Sequence, residues 1–164
     1  MRTLLMVYHT LTGGTLQMAQ AAAAAAAQAE PMLTVRLLAA AQAQPADVLA
    51  AQAYLFATPE NLASMAGIMK DFFDRCYYPV LGRINGRPYA AMVCAGSDGA
   101  GAVRQLERIA LGWRLRPVAP ALIVCTHAQT PEAILAPKTI VAADLGRCAD
   151  LGAALAGGLA LGVF

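Results

Sequence analysis

The chain has 164 residues, of which 59% are hydrophobic and only 13% are charged, and its formal net charge is +2. This length is typical of one domain with a sizeable core, so we expect a single domain over residues 1–164. The small net charge and the lack of a repeated basic cluster argue against nucleic-acid binding, and a surface so poor in charge indicates a homo-oligomer.

Apolar runs alternate with helical patterns along the whole chain. Five strands are predicted, over residues 4–8, 32–38, 53–58, 88–95 and 120–125. A first helix is predicted over residues 16–30, where Ala, Gln, Leu and Met dominate, and three apolar stripes at helical spacing start at Met65, Val103 and Leu145. This alternation is typical of a three-layer α/β/α sandwich with a five-stranded parallel sheet, in which ligands bind at the carboxyl ends of the strands.

The four cysteines are Cys76, Cys94, Cys125 and Cys148, and they lie far apart without the spacing of a metal site. We therefore expect reduced thiols rather than disulfides or zinc ligands. The apolar tail over residues 151–164 is shorter than the ~20 residues that cross a bilayer, and residues 1–8 lack the features of a signal peptide. The sequence thus predicts a cytoplasmic protein with no membrane span.

The loop after the first predicted strand is rich in hydroxyls and glycines. It reads Thr10-Leu11-Thr12-Gly13-Gly14-Thr15 and contains no Lys or Arg. Hydroxyls and backbone amides at a helix N-terminus bind anions. The loop matches neither the P-loop nor the Gly-x-Gly-x-x-Gly dinucleotide motif. An uncharged cradle of this kind favours a single phosphate monoester, although a capped turn without a ligand would look similar.

Three loops together resemble a known family. The motif Thr10-x-Thr12-Gly13-x-Thr15 is similar to the phosphate loop of flavodoxins and related FMN proteins. The second loop, Thr58-Pro59-Glu60-Asn61-Leu62, resembles the isoalloxazine loop of the flavodoxin-like NAD(P)H-dependent FMN reductases and quinone reductases. The third, Ala95-Gly96-Ser97-Asp98-Gly99-Ala100-Gly101, stands where that family closes its pocket.

The resemblance implies a flavodoxin-like sheet in the order 2-1-3-4-5, FMN as cofactor and NAD(P)H as co-substrate. It further implies a homodimer or homotetramer and a small-molecule electron acceptor. The residues that it assigns to FMN belong to the three loops and to the residue before the first: His9, Thr10, Leu11, Thr12, Gly13, Gly14, Thr15, Thr58, Pro59, Glu60, Asn61, Leu62, Ala95, Gly96, Ser97, Asp98, Gly99 and Gly101.

The chain departs from this family where the flavin ring would lie. Leu62 and Ala63 stand where many members have an aromatic residue and a glycine, and neither the second nor the third loop contains an aromatic residue. The pI near 8.4 also differs from that of the acidic electron-carrier flavodoxins. Both departures favour an open flavin face and a reductase that passes electrons from NAD(P)H to a quinone, flavin or similar acceptor by a ping-pong mechanism. A flavodoxin-type electron carrier without its own NAD(P)H site is the alternative, and a scaffold domain without flavin is the third.

Several residues have two interpretations. His9 either reaches the phosphate or caps the turn, and His127 either contacts substrate or lies exposed in a loop. Tyr77 and Tyr78 either line a pocket or pack at the end of a helix. Because flavin carries the chemistry, no side chain is predicted to be catalytic.

Overall fold

The computed structural model describes residues 2–164, which form seven strands and six helices. Their bounds, in chain order, are β1 (Thr3–Tyr8), α1 (Gly14–Ala29), β2 (Thr34–Ala39), α2 (Pro45–Ala50), β3 (Ala53–Asn61), β4 (Ser64–Met65), α3 (Gly67–Val80), β5 (Pro88–Ala95), α4 (Ala100–Gly112), β6 (Arg116–Pro117), β7 (Leu122–Cys125), α5 (Pro131–Leu135) and α6 (Ala142–Leu161). Helices and strands alternate over most of the chain, as the sequence predicts.

The sheet is parallel apart from one short strand. Its order is β2-β1-β3-β5-β6, while β7 pairs with β5 and β4 pairs antiparallel with β3. Strand β1 has β2 on one side and β3 on the other, with Leu5 opposite Arg36 and Tyr54. The chain thus reverses its winding direction between β1 and β3, which is where flavodoxin-like sheets bind ligands at the strands' carboxyl ends.

The prediction of five strands in the order 2-1-3-4-5 is wrong in the number of strands and in the order. Strand β3 continues past Thr58 to Asn61, and the chain then turns and pairs antiparallel with the end of β3 as the short strand β4. The last predicted strand starts at Pro120, whereas β7 starts at Leu122 and a separate two-residue strand, β6, pairs with the beginning of β5. Pro120 has no backbone N–H to donate, so it belongs to the gap between β6 and β7 rather than to a strand.

Both faces of the sheet are covered by helices. Alternate residues of β1 point to opposite faces, so Leu4 and Met6 pack with α1 and α6, while Leu5 and Val7 pack with the aromatic cluster under α3 and α4. That cluster contains Phe56, Phe72, Phe73 and Trp113, with ring centroids 5.0–6.4 Å apart. A strand that is buried on both faces has a continuous apolar sequence, which explains the run from Leu4 to Val7.

The alanine run of α1 is the surface on which α6 packs. Ala22 and Ala26 are fully buried, and a Cβ placed on Gly152 of α6 would lie 2.1 Å from the Ala22 carbonyl oxygen. The two helices therefore approach each other at backbone distance, which only residues without bulky side chains permit. None of the helices in residues 2–164 is long and apolar enough to cross a membrane.

Candidate functional site

A cavity of about 580 Å³ opens at the carboxyl edge of the sheet. It lies beside the ends of β1 and β3, and ligand pockets typically have volumes of about 300–1,000 Å³. Twelve of the predicted residues line it: Thr10, Leu11, Thr12, Gly14, Thr15, Pro59, Glu60, Asn61, Leu62, Ala95, Gly96 and Ser97. The structure therefore brings all three predicted loops to one cavity.

The other six predicted residues are not part of its lining: His9, Gly13, Thr58, Asp98, Gly99 and Gly101. The Thr58 hydroxyl accepts a hydrogen bond from the Ala66 amide at 3.1 Å and so joins the ends of the β3–β4 hairpin. His9 is half-buried, and its burial lowers the pKa of the imidazole from the ordinary value of 6.5. His9 is thus neutral at pH 7 and supplies no positive charge to the loop at Thr10–Thr15.

The loop between β1 and α1 forms a tight turn that directs the start of α1 into the cavity. The Thr10 hydroxyl accepts a hydrogen bond from the Gly13 amide at 3.0 Å. Gly13 precedes the helix with a positive φ of 92°, a conformation that glycine adopts without steric cost. The first turn of α1 contains no acidic residue, and Gly13 has no side chain to cap it. The amides and partial positive charge at this N-terminus are therefore available to an anion.

Helix α4 also begins at the cavity, but its N-terminus is already occupied by a carboxylate. Glu60, near the end of β3, accepts hydrogen bonds from the amides of Gly99 at 2.9 Å and Ala102 at 3.3 Å. A carboxylate placed here neutralises the partial positive charge of the helix and satisfies its free amides. Of the two long helices that start at this cavity, α1 is therefore the one that can take an anionic ligand.

The β3–β4 hairpin forms one wall of the cavity and carries unusual backbone angles. Leu62 and Ala63 connect the two strands with φ values of 51° and 60°, as in a type I′ turn, which normally uses Asn and Gly. Leu62 is fully exposed at the tip. The Met65 amide donates to the Gln105 side chain at 2.8 Å, so the hairpin is attached to α4. Strained backbone of this kind is concentrated at functional sites.

The hairpin and the start of α4 approach each other at Gly101. A Cβ on Gly101 would lie 2.1 Å from the Ala63 carbonyl oxygen, so this position has no room for a side chain. The third loop is similarly tight, since a Cβ on Gly96 would lie 2.9 Å from the Ala128 carbonyl oxygen. Gly96 and Gly101 are thus explained by close approaches of backbone to backbone, while Gly99 has a positive φ of 87° and its added Cβ would lie 2.7 Å from the Ile123 side chain.

The floor of the cavity is formed by Cys94 and by the start of α1. Cys94 is buried, and a Cβ on Gly14 would lie 2.8 Å from its sulfur atom. Burial raises the pKa of the Cys94 thiol, while the Lys138 ammonium and a hydrogen bond with Thr15 partly oppose this shift. The thiol therefore stays protonated at neutral pH and is a poor nucleophile.

The chain that follows β7 closes the cavity on the side of the turn at Thr10–Thr15. The Lys138 amide donates to the Thr12 carbonyl at 2.8 Å. The Gln17 side chain donates to the carbonyls of Gly13 at 3.0 Å and Lys138 at 2.7 Å, and accepts from the Ile140 amide at 3.0 Å. Gln17 thus fastens residues 138–140 to the beginning of α1.

Six lining residues were not predicted from the sequence: Cys94, Thr126, Ala128, Gln129, Ile134 and Lys138. Most of them follow β7, where the segment shows no regular pattern. For the five residues other than Cys94, the position after the last strand of the sheet is the one signal in the sequence that could have indicated a place at the cavity. His127 is exposed and does not line the cavity, and Tyr77 and Tyr78 line a separate groove between α3 and α4.

Flavin mononucleotide fits the residues around this cavity. Its phosphate needs an anion site, which the start of α1 provides, and Gly14 leaves no side chain between that site and Cys94. Its planar ring needs a slot, which the space between the hairpin and the loop at Ala95–Ser97 provides. None of the lining residues among positions 2–164 is aromatic.

Comparison with solved structures identifies the same fold. A flavodoxin from the domain Archaea has 18% sequence identity and a TM-score of 0.75, covering 94% of this chain and 96% of that one. A WrbA-like flavodoxin from Agrobacterium tumefaciens has 20% identity and a TM-score of 0.67, covering 96% of each chain. An azoreductase from Bacillus anthracis has 13% identity and a TM-score of 0.70, covering 95% of this chain and 99% of that one. At these identities the likeness concerns the fold.

A search of curated proteins found no match. A family model described as NADPH-dependent FMN reductase, however, matches residues 9–130, which is well over half of the chain and includes all three predicted loops. The predicted cofactor FMN and co-substrate NAD(P)H are thereby confirmed, and the chain is a flavin-dependent oxidoreductase. It belongs to the NADPH-dependent FMN reductase family.

Proposed function

We propose that this protein binds FMN in the cavity at the β1/β3 edge and transfers electrons from NAD(P)H to a quinone, flavin or similar small acceptor by a ping-pong mechanism. One observation carries the proposal. The N-terminus of α1 is free for an anion, while Glu60 occupies the N-terminus of α4. The cavity thus has one place for the phosphate, and this place fixes the direction in which FMN enters.

Different residues would bind the two ends of the cofactor, the phosphate and the ring. The turn from Thr10 to Thr15 would hold the phosphate, with its hydroxyls and the first amides of α1 as hydrogen-bond donors. The hairpin at Glu60–Leu62 and the loop at Ala95–Ser97 would hold the ring. Asp98, Gly99 and Gly101 would complete the third loop at the start of α4.

Bound FMN supplies two-electron redox chemistry, since a flavin accepts a hydride from a nicotinamide and passes electrons to an acceptor. The protein contributes position and electrostatics. The backbone amides of Glu60, Asn61 and Leu62 would face the ring and favour the negative charge of reduced flavin without reorganisation during the reaction. No acid or base is required from a side chain, which agrees with the lining, where Glu60 is held by two amides.

Exposed apolar side chains around the cavity support a reductase. Leu11, Leu62 and Ile134 line the cavity, and all three side chains are substantially exposed. An apolar rim of this kind favours planar, weakly polar molecules such as a nicotinamide ring or a quinone. Since the two substrates then share one open face, each has to leave before the other binds, as in ping-pong kinetics.

Reconstitution and turnover together test this function. Purified protein mixed with FMN should give a yellow complex that survives dialysis and has quenched flavin fluorescence. The complex should oxidise NADH or NADPH when a quinone, free flavin or azo compound is added, and double-reciprocal plots should give parallel lines. Failure to retain FMN would refute the proposal.

An electron carrier is the second candidate, because flavodoxins are among the solved structures with the same fold. A carrier would retain FMN but would oxidise NAD(P)H only when a separate reductase is supplied. The turnover assay without such a reductase therefore separates the two functions.

We further propose that residues 1–164 act as one domain and assemble as a homodimer or homotetramer. Support comes from the low charge of the chain and from exposed apolar side chains such as Met32, Tyr78 and Leu161. Light scattering coupled to size-exclusion chromatography tests the assembly, and a purely monomeric protein would refute it.

A further inference from the structure

The cavity has one positively charged side chain, and it comes from outside the phosphate turn. Of the lining residues within 2–164, Lys138 is the one cation and Glu60 the one acid. The phosphate turn itself contains no Lys or Arg, and His9 beside it is neutral at pH 7 because burial lowers its pKa. Among the lining residues within 2–164, Lys138 is therefore the one that could offer a full positive charge to a phosphate dianion on this turn.

The backbone of Lys138 is fixed against the phosphate turn from both sides. Its amide donates to the Thr12 carbonyl at 2.8 Å, and its own carbonyl accepts from Gln17 at 2.7 Å. Its Cβ lies 3.4 Å from the position that a Cβ on Gly14 would occupy. The side chain of Lys138 thus starts directly beside the first turn of α1.

The ammonium group of Lys138 is held only by uncharged acceptors. It donates to the carbonyls of Ala133 at 2.8 Å, Ile134 at 2.8 Å and Ala136 at 2.6 Å, all at or just beyond the end of α5. None of the ion pairs within residues 2–164 involves it. The Lys138 ammonium lowers the pKa of the nearby Cys94 thiol, against the larger rise caused by burial. The charge is therefore close to the site and not neutralised by a carboxylate.

We propose that Lys138 is a phosphate ligand of this site and makes it select phosphorylated flavin over riboflavin. This inference rests on the proposed function. An anionic phosphate oxygen is a stronger acceptor for an ammonium group than a neutral carbonyl oxygen is. The flexible four-carbon chain of lysine allows the ammonium to turn from the end of α5 towards the start of α1. Residues 131–138 then act as a cover that brings a charge to an otherwise uncharged phosphate turn.

The experiment compares the dissociation constants of FMN and riboflavin, measured by flavin fluorescence, for the unchanged protein and for Lys138→Met. We expect the variant to bind FMN about tenfold to a hundredfold more weakly, which corresponds to the loss of one charge-assisted hydrogen bond. Its affinity for riboflavin should stay the same, since riboflavin has no phosphate. Lys138→Arg should retain most of the preference for FMN.

The chain offers a matched control, because it has only two lysines. Lys70 lies on α3, pairs with Asp74 and does not line the cavity. Lys70→Met changes the net charge by the same amount and should leave both affinities unchanged. Equal weakening of FMN and riboflavin by Lys138→Met would show that Lys138 only supports the fold of the cover, and would overturn the inference. An equal effect of Lys70→Met would also overturn it.

The unchanged protein provides a measurement that does not depend on the folding of a variant. Its preference for FMN over riboflavin should fall as ionic strength rises from about 0.01 M to about 0.5 M, because salt screens the attraction between ammonium and phosphate. A preference that does not change with salt would overturn the role of Lys138 while leaving FMN binding intact. A protein that binds neither flavin would overturn the proposed function and this inference together.

Discussion

Replacing Gly101 with alanine tests how tightly the hairpin is held against α4. The new Cβ would lie 2.1 Å from the Ala63 carbonyl oxygen and 3.0 Å from its carbon. The hairpin must therefore retreat by about 1 Å to reach a normal contact distance, and forced overpacking costs about 1–3 kcal/mol. Alanine is favoured over glycine in a helix by up to about 1 kcal/mol, which offsets part of this cost. We expect the free energy of unfolding to fall by about 0.5–2 kcal/mol.

Urea denaturation measures this change, and titration with FMN measures its effect on the site. Because the displaced hairpin carries Asn61 and Leu62, FMN affinity should fall as well. Gly112→Ala is the matched control, since it makes the same substitution at the other end of α4, where no atom lies within 4 Å of the added Cβ. It should leave FMN binding unchanged and keep or slightly raise stability. If Gly101→Ala is as stable as Gly112→Ala and binds FMN equally well, the hairpin is not held as described.

Three further predictions concern the phosphate turn, the strained hairpin and a buried thiol. The double substitution Thr12→Ala, Thr15→Ala should weaken FMN binding by roughly 1–3 kcal/mol through lost charge-assisted hydrogen bonds, and unchanged affinity in a fluorescence titration would refute the phosphate assignment. Ala63→Gly should raise the free energy of unfolding by about 1 kcal/mol, because glycine adopts the left-handed φ of 60° without steric cost; a lower thermal midpoint would contradict this. Burial raises the pKa of the Cys76 thiol to about 11 from 9.0. The folded protein therefore keeps a proton that the unfolded chain loses, so stability should fall between about pH 9 and about pH 11, by on the order of 2 kcal/mol for this thiol. Cys76→Ala should show a smaller fall over this range than the unchanged protein in urea denaturation at each pH.

The strands and long helices could be predicted because their sequence patterns are local. The apolar run at Leu4–Val7 and the segment from Pro88 to Ala95 are buried on both faces, and such strands have a continuous apolar sequence. The stripe that includes Met69, Phe72 and Cys76 is likewise buried along α3. The short elements β4, β6 and α5 could not be predicted, since two to five residues are too few for a periodic pattern and their formation depends on partners elsewhere in the chain.

The site was predictable where one segment of sequence contains the chemistry, and not where distant segments meet. The turn at Thr10–Thr15 combines hydroxyls, glycines and a helix start within six residues, and the structure places it at the cavity. The second loop assigns Glu60 to FMN, but the pairing of its carboxylate with the amides of Gly99 and Ala102 spans about forty residues and has no local pattern. Lys138 reaches Thr12 across an even longer separation, and no local pattern marks it.

The alanine run in α1 has a consequence for the site at the other end of that helix. Ala22 lies eight residues after Gly14, or about 12 Å along the axis, and at Ala22 the backbone of α1 lies directly on Gly152 of α6. A larger side chain anywhere on this line of contact would push α1 away from α6 and tilt it over the sheet. Since a helix moves as a rigid rod, its first amides would then shift relative to Cys94 and Lys138. A segment of almost uniform composition thus determines where the phosphate-binding amides are placed.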